Sequence, residues 1–125
     1  MRGIHTHKVN GTNEAIRITA EDEPGCGGAN HKYHCTKYQQ SDDKAPGFCY
    51  VIDFQNGPIA EVGVNGITNE VLLAILIDRL QGFQKGDFAC RENALALTKL
   101  EEGAHWLNHR TQARIARGVE GTHQK

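Results

Sequence analysis

From Asp87 to about Arg117 the sequence runs without proline, and its small and apolar residues step by threes and fours. Cys90, Ala94, Leu97, Leu100, Ala104, Leu107 and Thr111 form one seam of the kind a packed helix presents. A helix of about 30 residues extends roughly 45 Å. The whole chain has 125 residues, so this helix outruns the diameter of any core the chain can build alone. Two packings answer that mismatch: a helical hairpin that covers half the long helix, or a second copy that covers the rest. The length favours the second copy.

A shorter helix precedes it. Thr68 or Asn69 can cap its start, with Glu70 favourable in the first turn. The stretch VLLAILIDRL is apolar on nearly every face from Val71 to Ile77, as in a helix buried on several sides or by another chain. It is expected to stop near Gly82. Asp87 is a good N-cap for the long helix that follows.

The first half has a different texture. Residues 1–66 are rich in Gly, Asn and Thr and carry short alternating segments. IHTHKV, the turn Asn10-Gly11 and AIRITA predict a hairpin. PGCGG interrupts it, and HKYHCTKY and FCYVIDF follow as two further strands, the last closed by Asn56-Gly57-Pro58. The expected fold is α+β: a small N-terminal antiparallel β-sheet followed by a C-terminal two-helix antiparallel hairpin with one long helix. Residues 1–125 read as a single domain, β-rich over 1–66 and helical over 67–125.

Charge narrows the function classes. The 14 Lys+Arg and 15 Asp+Glu leave a formal net charge of -1, which gives no general attraction to polymeric nucleic acid or to an anionic membrane. No run approaches the roughly 18 apolar residues of a membrane span, and the N-terminal residues lack the apolar stretch of a secretory signal. A soluble, non-secreted protein is expected, with Cys26, Cys35, Cys49 and Cys90 as free thiols. A zinc site drawn from Cys26, His31, His34 and Cys35 fits poorly. No CxxC knuckle occurs, and adjacent strand residues such as His34 and Cys35 point to opposite faces. Neither a metal nor a cofactor is expected.

Catalytic arrangements are sparse. Ser41, the lone serine, sits in a polar loop without a nucleophile elbow, and neither a P-loop nor a dinucleotide fingerprint is present. His105 with Glu101 or Glu102 has the spacing of an acid–base pair, but such spacing more often marks a solvated helix face. No catalytic residue is assigned.

The stronger local feature is cationic. Arg110, Arg114 and Arg117 step by four and three, so their side chains share a face at the end of the long helix, with Lys125 following. The helix dipole favours cations at a C-terminus and accounts for one or two of them. Three aligned guanidinium groups offer bidentate sites for phosphate oxygens. At the other end lie Phe83 and Phe88, with Arg91 and Asn93 in the first turns. An exposed aromatic can stack on a purine and an Asn amide can bond a base edge or ribose; equally, the two phenyl rings can plug the gap between the helices. Asn93 and Arg110 stand 17 residues apart, about 26 Å along one helix, so one small ligand cannot touch both in one chain. Two antiparallel copies that cross near residues 101 and 102 bring Asn93 of one beside Arg110 of the other. Gly103 lies next to that crossing and allows close approach. Two identical pockets follow, each built by both chains.

With these residues in view, the run from Asn56 to His123 resembles the phage Thoeris anti-defence proteins of the first type, whose C-terminal hairpin is shared with a phage anti-CBASS sponge. The strings NGITNE, IDRLQGFQ, ENALALTKLEE and RGVEGTH carry the resemblance, and PGCGGANHKY upstream is similar to that family's turn and strand. The resemblance implies a protein of the infected bacterial cytoplasm that sequesters, without cleavage, cyclic ADP-ribose isomers made by bacterial TIR-domain immune proteins. It implies a homodimer of long antiparallel helices, in some members a hexamer that also holds cyclic oligonucleotides at separate sites. The family's aromatic, amide and arginine contacts fall on Phe83, Asn93, Arg110 and Arg114, with Arg117, Gly118, Gly121 and Thr122 lining or closing the pocket. Gly103 departs from the larger residue expected there.

Overall fold

A computed structural model describes residues 1–124, apart from the side chain of Cys26. Lys125 among the terminal cations, and the Cys26 thiol of the zinc reading, therefore lie outside the described residues. The chain divides into two compact units. One comprises Met1–Gly57 with Val64–Gly66, the other Pro58–Gly63 with Ile67–Lys125.

The first unit is a four-stranded antiparallel meander in the order β1-β2-β3-β4. Its strands are β1 (Arg2–Ile4), β2 (Arg17–Ala20), β3 (Lys32–Lys37) and β4 (Phe48–Asp53). Alternation along the strands sorts the faces. In register, Ala20 meets Tyr33 and Tyr33 meets Ile52, while Ile4 meets Ile18 and Ile18 meets Cys35. These residues share one face, since side chains two apart point the same way. Ala20 is fully buried there, and Tyr33 meets Phe54 edge-on at 5.7 Å. Burial, with Cys49 nearby, pushes the Cys35 thiol up from its ordinary value. The β1–β2 hairpin forms, but Asn10-Gly11 is not its two-residue turn. Asn10 instead accepts the Asn13 amide at 2.9 Å and caps a single helical turn, α1 (Gly11–Glu14). The side-chain cap competes with the tight turn and wins.

PGCGG forms a short 3-10 turn, Cys26–Gly28, with Gly27 and Gly28 at φ 76° and 83°. Beside it, the Asp22 carboxylate accepts the amides of His31 at 3.0 Å and Lys32 at 3.2 Å, and so pins the start of β3. Burial opposes ionisation of Asp22, but these amides and the Asn30 side chain outweigh it and hold the carboxyl below its ordinary value. A depressed value adds stability above the ordinary carboxylate range, and that stability is lost as pH falls through the folded value. Asp43, lowered by the Gln40 amide and by Lys37, behaves alike. Asp22→Asn is therefore expected to destabilise the sheet at neutral pH and to change little in strong acid. Denaturant melts at the two pH values, followed by tyrosine absorbance, check this.

The second unit holds α2 (Ile59–Val62), α3 (Asn69–Gln84) and α4 (Arg91–Arg117). Thr68 caps α3 by accepting the Val71 amide at 3.2 Å. The helix stops near Gly82, as expected, with Gln84 as its last residue. It ends when the Lys85 amide takes up the carbonyls of Gln81 and Gly82, both at 3.2 Å. Asp87 does not cap α4. The Gln84 side-chain amide brackets Cys90, donating to its carbonyl and accepting its N–H, each at 3.1 Å. That bracket sets the helix start at Arg91, with the Cys90 thiol accepting the Asn93 amide at 3.4 Å.

The two long helices pack against each other. Leu97, Leu100, Ala104, Leu107 and Thr111 are half-buried on α4, as the seam requires, whereas Cys90 and Ala94 are exposed. Leu73, Ile77 and Leu80 are half-buried on α3, yet no residue of α3 is fully buried. The apolar surplus faces outward: Val71, Ile75, Leu76, Leu95 and Trp106 are exposed, Trp106 by 64%.

Candidate functional site

The buried positions of the helical unit gather at one corner: Pro58, Arg114 and Val119. Helix α4 ends there in a glycine cap. Gly118 adopts a left-handed conformation at φ 74° and ψ 20°, its amide donates to Ile115, and the Val119 amide donates to Arg114. This paired pattern satisfies the last carbonyls of the helix. The chain then folds back. The Arg114 guanidinium, 7% exposed, donates to the Val119 carbonyl at 2.8 Å, to the Thr122 carbonyl at 3.2 Å and to the Gln124 carbonyl. Its Nε meets the Glu120 carboxylate at 3.2 Å. Gly121, at φ 81°, lies against Ile59 of α2, where a Cβ would stand 3.0 Å from Cγ1. Arg114 thus knots residues 118–124 into a loop.

This separates three residues that the sequence treats alike. Arg110 and Arg117 are exposed, and among the described residues no ion pair holds either. Arg114 lies on the inward face, continuing the line of Leu107 and Thr111, and makes four hydrogen bonds with the tail. The exposed guanidinium groups at this end are those of Arg110 and Arg117.

At the far end of α4, Phe83 and Phe88 meet edge-to-face at 6.4 Å. This contact does not plug the helices, because Phe88 is 77% exposed and Phe83 39%. The Arg79 guanidinium stands 5.5 Å from the Phe83 centroid, a cation–π contact that orients the ring. Sequence reasoning passed over Arg79, although its i,i+4 spacing to Phe83 is the available signal. The Asn93 Nδ2 donates to the Phe88 carbonyl at 3.5 Å. Phe83, Phe88 and Asn93 are thereby brought together. With 1.5 Å per residue along α4, Asn93 and Arg110 remain about 26 Å apart within one chain.

The central turns of α4 between them carry Trp106, met by His105 at 5.3 Å and His109 at 5.5 Å. Gly103 has open space where a Cβ would be. Among the described residues no group of His, Cys, Asp and Glu is placed to hold a metal ion, and no helix is long and apolar enough to cross a membrane.

A family model described as the Acb2/Tad1 hairpin domain matches residues 50–112, half of the chain. The chain belongs to the Acb2/Tad1 hairpin family. The matched hairpin contains Phe83, Asn93 and Arg110 and ends before the Arg114 loop. The protein Thoeris anti-defense 1 of Bacillus phage SBSphiJ7 is 60% identical over 74 residues, which cover 59% of this chain and 52% of that relative. The chain therefore spans about half the length of the curated relative it matches. The N-terminal strands lie largely outside the family match, and their placement here adds to the hairpin a unit the family description does not name.

Proposed function

We propose that this protein is a phage anti-defence sponge. It binds and sequesters, without cleaving, a cyclic ADP-ribose isomer made by bacterial TIR-domain immune proteins, and so keeps the signal from its effector in the cytoplasm of the infected cell. The observation that carries the reading is the division of nucleotide-type groups between the two ends of α4. An aromatic pair with an amide stands at one end, and two exposed guanidinium groups, without an ion pair among the described residues, stand at the other. Only a second, antiparallel chain unites them. The outward apolar faces of α3 and α4 and the open flank of Gly103 support that association, since exposed surface of this kind marks an interface.

Such a pocket needs no catalytic group. Arg110 and Arg117 neutralise a pyrophosphate, Phe83 stacks on adenine, and Asn93 bonds a ribose or base edge. With charge-assisted contacts at about 1.5–3 kcal/mol each and stacking in addition, nanomolar affinity is within reach. Relief of effector activation then depends on slow release. One further reading follows from the resemblance of the hairpin to that of a phage anti-CBASS sponge: sequestration of cyclic di- or trinucleotides. Competition between the two ligand types distinguishes shared from separate sites, and a hexamer adds room for both.

The test is recovery of the ligand. Protein saturated with a cyclic ADP-ribose isomer, then heated and deproteinised, is expected to return the intact nucleotide in the amount loaded. Hydrolysed ADP-ribose in its place would make the protein an enzyme. Absence of any bound nucleotide would leave a helical oligomer without a ligand.

A further inference from the structure

We infer that the N-terminal unit carries a second anion site, at the β1–β2 hairpin, which takes the phosphate or pyrophosphate group of a small ligand. A hollow of about 300 Å³ lies there, lined by Gly3, Ile4, His5, Lys8, Arg17, Ile18 and Thr19. That volume is at the lower end of the range for small-molecule sites. Lys8, Arg17 and the His5 imidazole line it, and no carboxylate does.

The arrangement stands against the charge of its surroundings, because residues 1–66 hold more acidic than basic side chains. The unit pairs two of its other three lysines, Lys37 with Asp43 at 3.1 Å and Lys32 with Asp53 at 3.8 Å. The Asp22 carboxylate is committed to the backbone of β3. Arg2 donates to Asn30 at 2.7 Å. Among the described residues, Lys8 and Arg17 have no carboxylate partner.

Local structure holds these groups in place. The Arg17 guanidinium lies over the Tyr38 ring, 4.9 Å from its centroid, a cation–π contact that helps to hold it in place. The His7 Nε2–H donates to the Ile16 carbonyl at 2.7 Å and draws the segment that carries Lys8 back toward β2. Gly3 leaves room for the His5 ring, since a Cβ at Gly3 would stand 3.0 Å from its Nε2. Cations without anions match a multiply charged oxyanion such as a phosphate group, two of whose oxygens a guanidinium can bond at once. This site is independent of the helical one and of the anti-defence reading.

The test uses the full chain, labelled with nitrogen-15 and titrated with inorganic pyrophosphate. Saturable shifts are expected at the amides of Gly3, His5, Ile18 and Thr19, separable from any at Arg110 and Arg117. Lys8→Gln, on a loop where the fold is not at stake, is expected to weaken the N-terminal event about tenfold, the worth of one charge-assisted contact. Adding Arg17→Gln removes about another factor of ten, while shifts in the helical unit persist. Shifts confined to residues 110–124, or unchanged affinity in Lys8→Gln with a native spectrum, would overturn the proposal.

Discussion

Arg114→Ala is expected to lower the stability of the helical unit by about 2–4 kcal/mol, whereas Arg110→Ala and Arg117→Ala change it little. The magnitude follows from what each side chain touches. Hydrogen bonds to a charged donor contribute about 1.5–3 kcal/mol, and carbonyls left unpaired on its removal add a desolvation cost. Arg114 serves three tail carbonyls and the Glu120 carboxylate from a buried position. Arg110 and Arg117 serve no protein acceptor among the described residues, and exposed cations of this kind move stability by only a few tenths of a kcal/mol. Arg114→Lys keeps the charge but cannot span the same acceptors, so it recovers little. Chemical denaturation of the three alanine variants measures the difference. Equal melts for all three would show that the loop is not tied as described.

The same residue shows where the sequence stops being legible. Spacing puts Arg110, Arg114 and Arg117 on one helical face, and that is sound for an isolated helix. The fold-back of residues 118–124 is a tertiary event, and it turns the middle arginine inward. Its signal lies in the glycines of RGVEGTH, since Gly118 and Gly121 both take the positive φ that lets the chain reverse. Elsewhere periodicity sufficed. The seam from Leu97 to Thr111 and the strands β2, β3 and β4 stand where alternation and helical stepping put them, whereas β1 covers Arg2–Ile4 and shares only Ile4 with the IHTHKV segment. Element ends were less visible. Asp87 has the chemistry of a cap, but the Gln84 amide, six residues before Cys90, decides where α4 begins. Helix α2 is too short to show a period, yet it supplies Ile59 to the Gly121 loop.

The second large effect concerns binding. On the proposed antiparallel dimer, Asn93→Ala and Arg110→Ala each strip one component from both pockets. Losing the charge-assisted contact of Arg110 costs about 1.5–3 kcal/mol, roughly 10- to 150-fold in affinity, and losing the neutral amide of Asn93 about 0.5–1.5 kcal/mol, roughly 2- to 10-fold. Mixing the two variants has a distinctive outcome. In a mixed dimer one pocket receives both altered residues and the other receives neither, so one site of full affinity returns for every two chains. A single-chain site predicts no such rescue. Binding titrations of each variant alone and of the co-refolded mixture separate the two arrangements. Gly103→Leu is expected to prevent the rescue by holding the helices apart at their crossing, although nothing within its own chain obstructs the larger side chain.

A sponge of this kind binds a cyclic nucleotide tightly, at one site per chain, and leaves it whole. Isothermal titration with a panel of cyclic ADP-ribose isomers and cyclic oligonucleotides tests that most directly, provided the nucleotide is recovered afterwards. Nanomolar binding of one cyclic ADP-ribose isomer is the predicted result, with one ligand per chain and intact material returned on denaturation. No binding by any isomer, or recovery of a hydrolysed product, would contradict it.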